Sequence, residues 1–326
     1  SKIVDVSRVV DSSKIKQLIV IGIGGSSLGT KALLGAIPSS SVKVTFLENI
    51  EKEMPELLSE NYSEVLVNVV SKSGDTFETL TNLDKLLAKY PQLKDRIIIT
   101  TAHPEKFEGY AKEYFLPIPP QVSGRYSVFT PVGLFPLSLT GFNILSLLEG
   151  AMSARKDCLQ EGSANPALVL AVVQYFHYIK KRTIDVNFFF HPTLELLGKW
   201  NNQIVAESLG KNGKGLTPLV SIGTTDLHSM IQLFLDGPKD KFTEFVYCKK
   251  LLPKEDLPVI DGVKKSYENR KLPFISWEFD DLTEKSLGYY MQVKMISVVF
   301  LAKLMGVNAF DQPAVEEYKK YAKENS

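Results

Sequence analysis

Glu207 and Gln203 are four residues apart, the spacing that puts two side chains on one helix face a single turn from each other. Leu196, Leu197, Trp200 and Ile204 recur around them at helical period and predict that helix. A glycine-rich turn over 210–215 follows, then an apolar run over 219–222 that predicts a strand. Thr224-Thr-Asp226 reads as the N-cap of a further helix carrying Leu227, Met230, Ile231 and Phe234, with His228 in its first turn. There the helix dipole would favour a neutral imidazole able to exchange a proton. The segment thus presents a carboxylate, an amide and an imidazole at the ends of consecutive elements, where α/β proteins keep their chemistry. A surface glutamate and a structurally satisfied histidine fit the same residues, so this stretch alone does not decide.

A second set of residues suits a phosphomonoester. Ser71-Lys72-Ser73-Gly74-Asp75-Thr76 follows the apolar run 64–70 and opens a helix that ends before Pro91. Hydroxyls, a lysine and free N–H groups at the positive end of a helix are what a phosphate dianion needs. The competing reading is an ordinary capping box, with Ser73 and Thr76 as caps and Glu78 and Thr79 nearby. Upstream, Gly22-Ile-Gly24-Gly25-Ser26-Ser27-Leu28-Gly29 joins the apolar run 17–22 to a helix that stops at Pro38, again an arrangement able to receive a phosphate. Glu48, about 20 residues on, imitates the ribose-binding acid of a dinucleotide site. The spacing is GxGxxS rather than GxGxxG, so that pattern is weak. Gly124-Arg125 could hold a fixed cation beside a developing anion, although an isolated Gly-Arg pair is commonly a turn with a surface arginine.

These groups must be positioned by an alternation of apolar runs and helical stretches. Runs over 17–22, 42–46, 64–70 and 96–101 predict buried parallel strands, the last followed by a helix from Pro104. Residues 117–120 read as a linker, 131–155 as helical with a break at Gly141, and 166–181 as a helix. A second sheet is expected from 186–190, 219–222, 243–248 and 273–279, closed by helices over 284–304 and from Ala314. The fold class is α/β, with two doubly wound, mainly parallel sheets and a C-terminal helix. The expected domains are 1–125 and 166–326, with a helical connection over 126–165. A length of 326 residues fits two domains at roughly 150 residues each.

Composition narrows the class. Charges are mixed along the chain and sum to +1, which points to neither a nucleic-acid nor a membrane partner. Cys158 and Cys248 lack CxxC spacing and fit a reducing compartment. The first residues, SKIVDVSRVVDSS, carry no apolar signal core, so a cytoplasmic location without export is expected. The apolar stretch 288–304 contains Gln292, Lys294 and Lys303 and reads as a buried helix rather than a membrane span. His103, His177, His191 and His228 show no paired ligand spacing, so neither a metal nor a cofactor is expected, and the first three histidines read as structural.

Five separated motifs are together similar to the glucose-6-phosphate isomerase (phosphoglucose isomerase) family in its shorter bacterial type: GIGGSSLG, SKSGDTFET, SGRYSVFTPVGL, the block 203–228 and FDQPAVEEYK. The first is shared with other sugar-isomerase (SIS) domains, whereas the Gly-Arg, Glu-His and FDQxxVExxK motifs are more specific. The resemblance spans nearly the whole chain. It implies two SIS domains and a homodimer, with active sites near the interface and a histidine donated across it. It further implies reversible conversion of glucose 6-phosphate to fructose 6-phosphate through an enediolate. On that resemblance Ser71, Ser73 and Thr76 bind the phosphate with Lys72 nearby, and Gly25 and Ser26 line the sugar site. Glu207 is the general base and Gln203 its companion one turn earlier. His228 and Lys319 assist ring opening, Arg125 stabilises the enediolate, and Gln312 lies near the substrate.

Where the family commonly has Gly-Gly-Arg this chain has Ser123-Gly124-Arg125, and the segment before its first strand is short, so a trimmed start is expected. Two neighbouring readings remain: a dual phosphoglucose/phosphomannose isomerase, and a non-catalytic SIS-domain sugar-phosphate sensor. A sensor would need the phosphate loop but not Glu207, His228, Arg125 and Lys319 together. A nicotinamide-dependent dehydrogenase would need a true GxGxxG with its ribose-binding acid.

Overall fold

The computed structural model describes residues 12–38, 42–110 and 114–324. The stretch 1–11, read above as lacking an export signal, lies outside them. Two compact units divide the chain, Ser1–Leu145 and Ser146–Ser326. The division falls inside the region 126–165 read as a helical connection.

In the first unit the apolar runs become strands because every residue of the central ones is covered. The elements are β1 (Gln17–Ile21), α1 (Leu28–Ala36), β2 (Lys43–Leu47), β3 (Val65–Val70), α2 (Phe77–Lys89), β4 (Ile97–Thr101), β5 (Phe115–Pro117) and α3 (Pro131–Leu139), with α4 (Ile144–Asp157) beginning at the division. The sheet is parallel throughout, in the order β2-β1-β3-β4-β5. Leu18 and Val20 face one way with Leu66 and Ile98, against Val132 and Phe135 of α3. Ile19 and Ile21 face the other way with Val67 and Val69, against Leu83 and Leu86 of α2. Burying each such side chain contributes about 1.5–3 kcal/mol, which explains why the runs carry no polar alternation. Two expectations are corrected here. Pro104–Phe107 is only a 3₁₀ turn, and Pro117 ends a short edge strand rather than opening a linker.

The second unit continues with α5 (Pro166–Ile179), β6 (Ile184–Phe189), α6 (Glu195–Leu209), β7 (Thr217–Ile222), α7 (Ile231–Asp236), β8 (Lys241–Cys248), α8 (Leu257–Asn269), β9 (Phe274–Phe279), α9 (Glu284–Met305) and α10 (Pro313–Glu324). Its four strands are also parallel, ordered β7-β6-β8-β9. The two faces differ in character. Val186, Phe188, Phe190 and Phe245 form an aromatic core with Ile260, Val263 and Tyr267 of α8. The opposite face carries buried Asp185, Asn187 and Glu244, and buried Lys294 of α9 pairs with Glu244 there. Helix α9 is long and apolar enough to cross a membrane by composition, but its middle is buried within this unit against α5 and α6. Cys158 and Cys248 are both buried and free.

Candidate active site

Strand order 2-1-3 in the first unit places a topological switch point between β1 and β3, the place where such sheets bind phosphorylated ligands beyond the carboxyl ends of their strands. Both candidate phosphate loops are there, since Gly22 to Ser27 leaves β1 and Ser71 to Thr76 leaves β3. The second loop is not a capping box. Thr76 is the N-cap of α2 by position, yet its hydroxyl makes no cap bond and instead lies 2.9 Å from the Ser71 hydroxyl. Ser71 Oγ accepts from the Gly74 amide at 3.1 Å, and Gly74 takes the left-handed conformation (φ +71°) that this turn needs. The amides of the first turn of α2 are therefore not consumed by the hydroxyls that precede them.

Arg125 joins this group through backbone contact. A Cβ on Gly25 would stand 2.2 Å from the carbonyl carbon of Gly124, so the two loops touch where only glycine fits. Ser127 Oγ clamps the contact, donating to the carbonyl oxygens of Gly124 (2.7 Å) and Gly25 (3.1 Å). Ser26 is half-buried beside it. Arg125 is 1 % exposed, with its guanidinium carbon 5.3 Å from the Tyr126 ring centroid, so it is no surface arginine. Ser123, which stands where the family commonly has glycine, has a shielded hydroxyl without a hydrogen-bond partner among the described residues.

In the second unit Glu207 lies in the last turn of α6, half-buried, and Gln203 Nε2 donates to its Oε1 at 2.9 Å. The amide is thereby oriented, and Gln203 Oε1 is shielded and has no partner among the described residues. Helix α6 runs back against parallel strands, so Glu207 is at the amino ends of β6 and β7. His228 follows the carboxyl end of β7, which spans ~20 Å at about 3.3 Å per residue. Carboxylate and imidazole of one chain therefore stand at opposite ends of this sheet. The helix expected after 224–226 is corrected too. Thr225–His228 is a 3₁₀ turn, α7 starts only at Ile231, and Asp226 caps backward, accepting from the Ile222 amide at 2.7 Å and from Ser229 Oγ at 2.8 Å. The dipole argument for His228 falls with that helix. Gln312 precedes α10 in the loop after α9, and Lys319 lies on α10.

Residues 8–239 match the family described as Phosphoglucose isomerase. The chain is 36% identical to a glucose-6-phosphate isomerase of Methanocaldococcus jannaschii over 94% of its own length and 83% of that protein's. The chain belongs to the phosphoglucose isomerase family. Among solved structures, a hypothetical protein from Thermus thermophilus matches 100% of this chain and 87% of its own with a TM-score of 0.85 and 28% identity. A glucose-6-phosphate isomerase from Chlamydia trachomatis has the same fold, with a TM-score of 0.85 over 99% of this chain and 72% of its own at 20% identity.

Two features of this family member escape a reading of motifs. Lys72 does not lean over the 71–76 loop. Its ammonium donates to the Pro120 carbonyl oxygen at 2.6 Å, and partial burial pushes its pKa down. The cation at the loop is Lys106, which donates to the Ser73 carbonyl oxygen at 2.7 Å and lies 3.6 Å from Asp75. Its only sequence signal is position, since it follows β4, the neighbour of β3. Glu48 is equally informative. Its carboxylate accepts from Ser27 Oγ at 2.6 Å and pairs with Lys31, so the acid that imitated a ribose ligand is spent on α1.

Proposed function

We infer that this chain interconverts glucose 6-phosphate and fructose 6-phosphate by moving one proton between neighbouring carbons. Family membership supports the reaction, and the observation that carries the choice of base is the Gln203–Glu207 hydrogen bond at the end of α6. The loop with Ser71, Ser73 and Thr76 binds the phosphate, aided by Lys106 and with Lys72 at its rim; Gly25 and Ser26 line the sugar. Ring opening needs a donor at the ring oxygen and an acceptor at the C1 hydroxyl, roles given to Lys319 and His228. Glu207 then removes the C2 proton of the open aldose and returns it to C1. Arg125 faces the enediolate oxygen, where a fixed, buried cation stabilises developing charge without reorganisation. Gln203 and Gln312 orient the hydroxyls between them.

The same reading makes the protein a homodimer. With Glu207 and His228 at opposite ends of one sheet, a second copy supplies the imidazole. Helix α5 offers a face for self-association: Val169, Val172, Phe176 and Ile179 are 42–55 % exposed and form one stripe. Two buried free cysteines support a reducing, cytoplasmic setting. The test is fructose 6-phosphate conversion read through coupled glucose-6-phosphate dehydrogenase. Fast turnover, unchanged by excess chelator, is expected. Binding of fructose 6-phosphate without turnover would replace the isomerase by a sugar-phosphate sensor, and loss with chelator restored by metal would replace the glutamate route.

A further inference from the structure

The turn between α6 and β7 does more than reverse the chain. Lys211 and Lys214 pair backbone to backbone across it, with N–O distances of 3.1 and 2.9 Å. Asn212, Gly213 and Gly215 take positive φ to close it. Both lysine side chains cap helix ends with them. The last four carbonyls of a helix lack an internal donor, and an ammonium placed there satisfies them. Lys214 donates to the Met305 carbonyl oxygen at 2.8 Å, at the end of α9. Lys211 reaches further. Its ammonium, on a side chain 7 % exposed, donates to the carbonyl oxygens of Glu207 (2.8 Å), Ser208 (2.8 Å) and Asn308 (2.6 Å), and Asp311 stands 3.4 Å away.

Three short bonds match the three protons of an ammonium. One of them holds the backbone of Glu207 itself, and another holds the loop that leads to Gln312. Bonds within that loop keep its shape: Asn308 Nδ2 donates to Asp311 at 2.9 Å, and its Oδ1 accepts from the Phe310 amide at 3.0 Å. We propose that Lys211 is a positioning residue for the isomerisation, locking the end of α6 to the 308–312 loop so that Glu207 and Gln312 keep a fixed relation. The proposal rests on Glu207 being the base. A base that must take a proton from one carbon and return it to the next loses rate when its backbone is free by a fraction of an ångström.

The experiment compares wild type, Lys211→Met, Lys211→Arg and Lys214→Met for kcat, KM, thermal midpoint and deuterium uptake per turnover in D₂O, read by NMR of the product. Lys211→Met is expected to lower kcat about 10–100-fold with KM within threefold, and to raise deuterium uptake per turnover at least twofold, since a displaced carboxylate exchanges its proton before returning it. Lys211→Arg should recover most of the rate. Lys214→Met, which loses the α9 cap alone, should lower the midpoint and leave kcat and deuterium uptake at wild-type values. Normal kcat and uptake in Lys211→Met, or an equal loss in Lys214→Met, would overturn the positioning role. Should the Met variant not fold, Lys211→Gln, whose shorter, uncharged amide keeps two of the three N–H donors, is read the same way. Failure of the wild type to isomerise would instead reject the underlying assignment.

Discussion

Glu207→Gln is expected to reduce kcat by about 10²–10⁴-fold while KM stays within threefold, as for loss of a general base. The substitution is well matched to its question. A glutamine keeps the side-chain shape and an oxygen able to accept from Gln203 Nε2, so the hydrogen bond seen at 2.9 Å can persist. Only the capacity to hold the migrating proton is lost. Phosphate binding, proposed for the loop of Ser71, Gly74 and Thr76 in the other unit, should be untouched. Ring opening is assigned to other groups and should survive, so the variant ought still to interconvert anomers while failing to exchange the C1 or C2 proton with solvent. A rate near that of wild type would remove Glu207 from the mechanism. Loss of affinity equal to the loss of rate would make it a binding residue instead.

What the chain disclosed beforehand followed physical lines. Strands covered on both faces write themselves as near-continuous apolar runs, which is why β1 and β3, despite buried Gln17 and Asn68, are legible to within a residue or two. The short edge strand β5 was not, because three residues ending in proline look like a linker, and an edge tolerates the missing donor. Helix α8 shows in the sequence only as Ile260, Val263 and Tyr267, which mark its buried face at helical spacing. Around the candidate site, the sequence shows residue types but not the directions in which elements run. His228 lies one short strand beyond Glu207's turn in sequence, but antiparallel α6 puts the two at opposite ends of the sheet. Lys106 and Lys211 act through carbonyl oxygens, and a carbonyl leaves no mark on the residue type that carries it.

Lys294→Met is expected to destabilise the second unit by about 3–5 kcal/mol, the usual cost of stranding a buried charge, and to lower its melting midpoint on the order of 10 °C. Lys294 Nζ donates to Glu244 Oε2 at 2.6 Å with both side chains 1 % exposed. No water replaces the ammonium cheaply there, and Asp185, Asn187 and Tyr290 crowd the same face. Both tryptophans, Trp200 and Trp277, belong to this unit, so fluorescence reports its unfolding separately. The double variant Lys294→Met with Glu244→Gln should regain most of the loss, because it is the unpaired carboxylate that costs, not the missing attraction. Asp185 tests the same logic in the opposite direction. Burial raises its pKa above the ordinary carboxylate value, Lys294 opposes that, and Glu244 adds to it. A raised folded-state pKa gives stability that is complete below the unfolded value of about 3.9 and is lost as pH climbs through the folded one. Asp185→Asn should therefore be at least as stable as wild type at pH 7 and show a flatter decline above pH 4. If Lys294→Met unfolds within 1 kcal/mol of wild type, the Glu244 carboxylate finds its proton or its partner elsewhere, and the buried pair is not what holds α9 to the sheet.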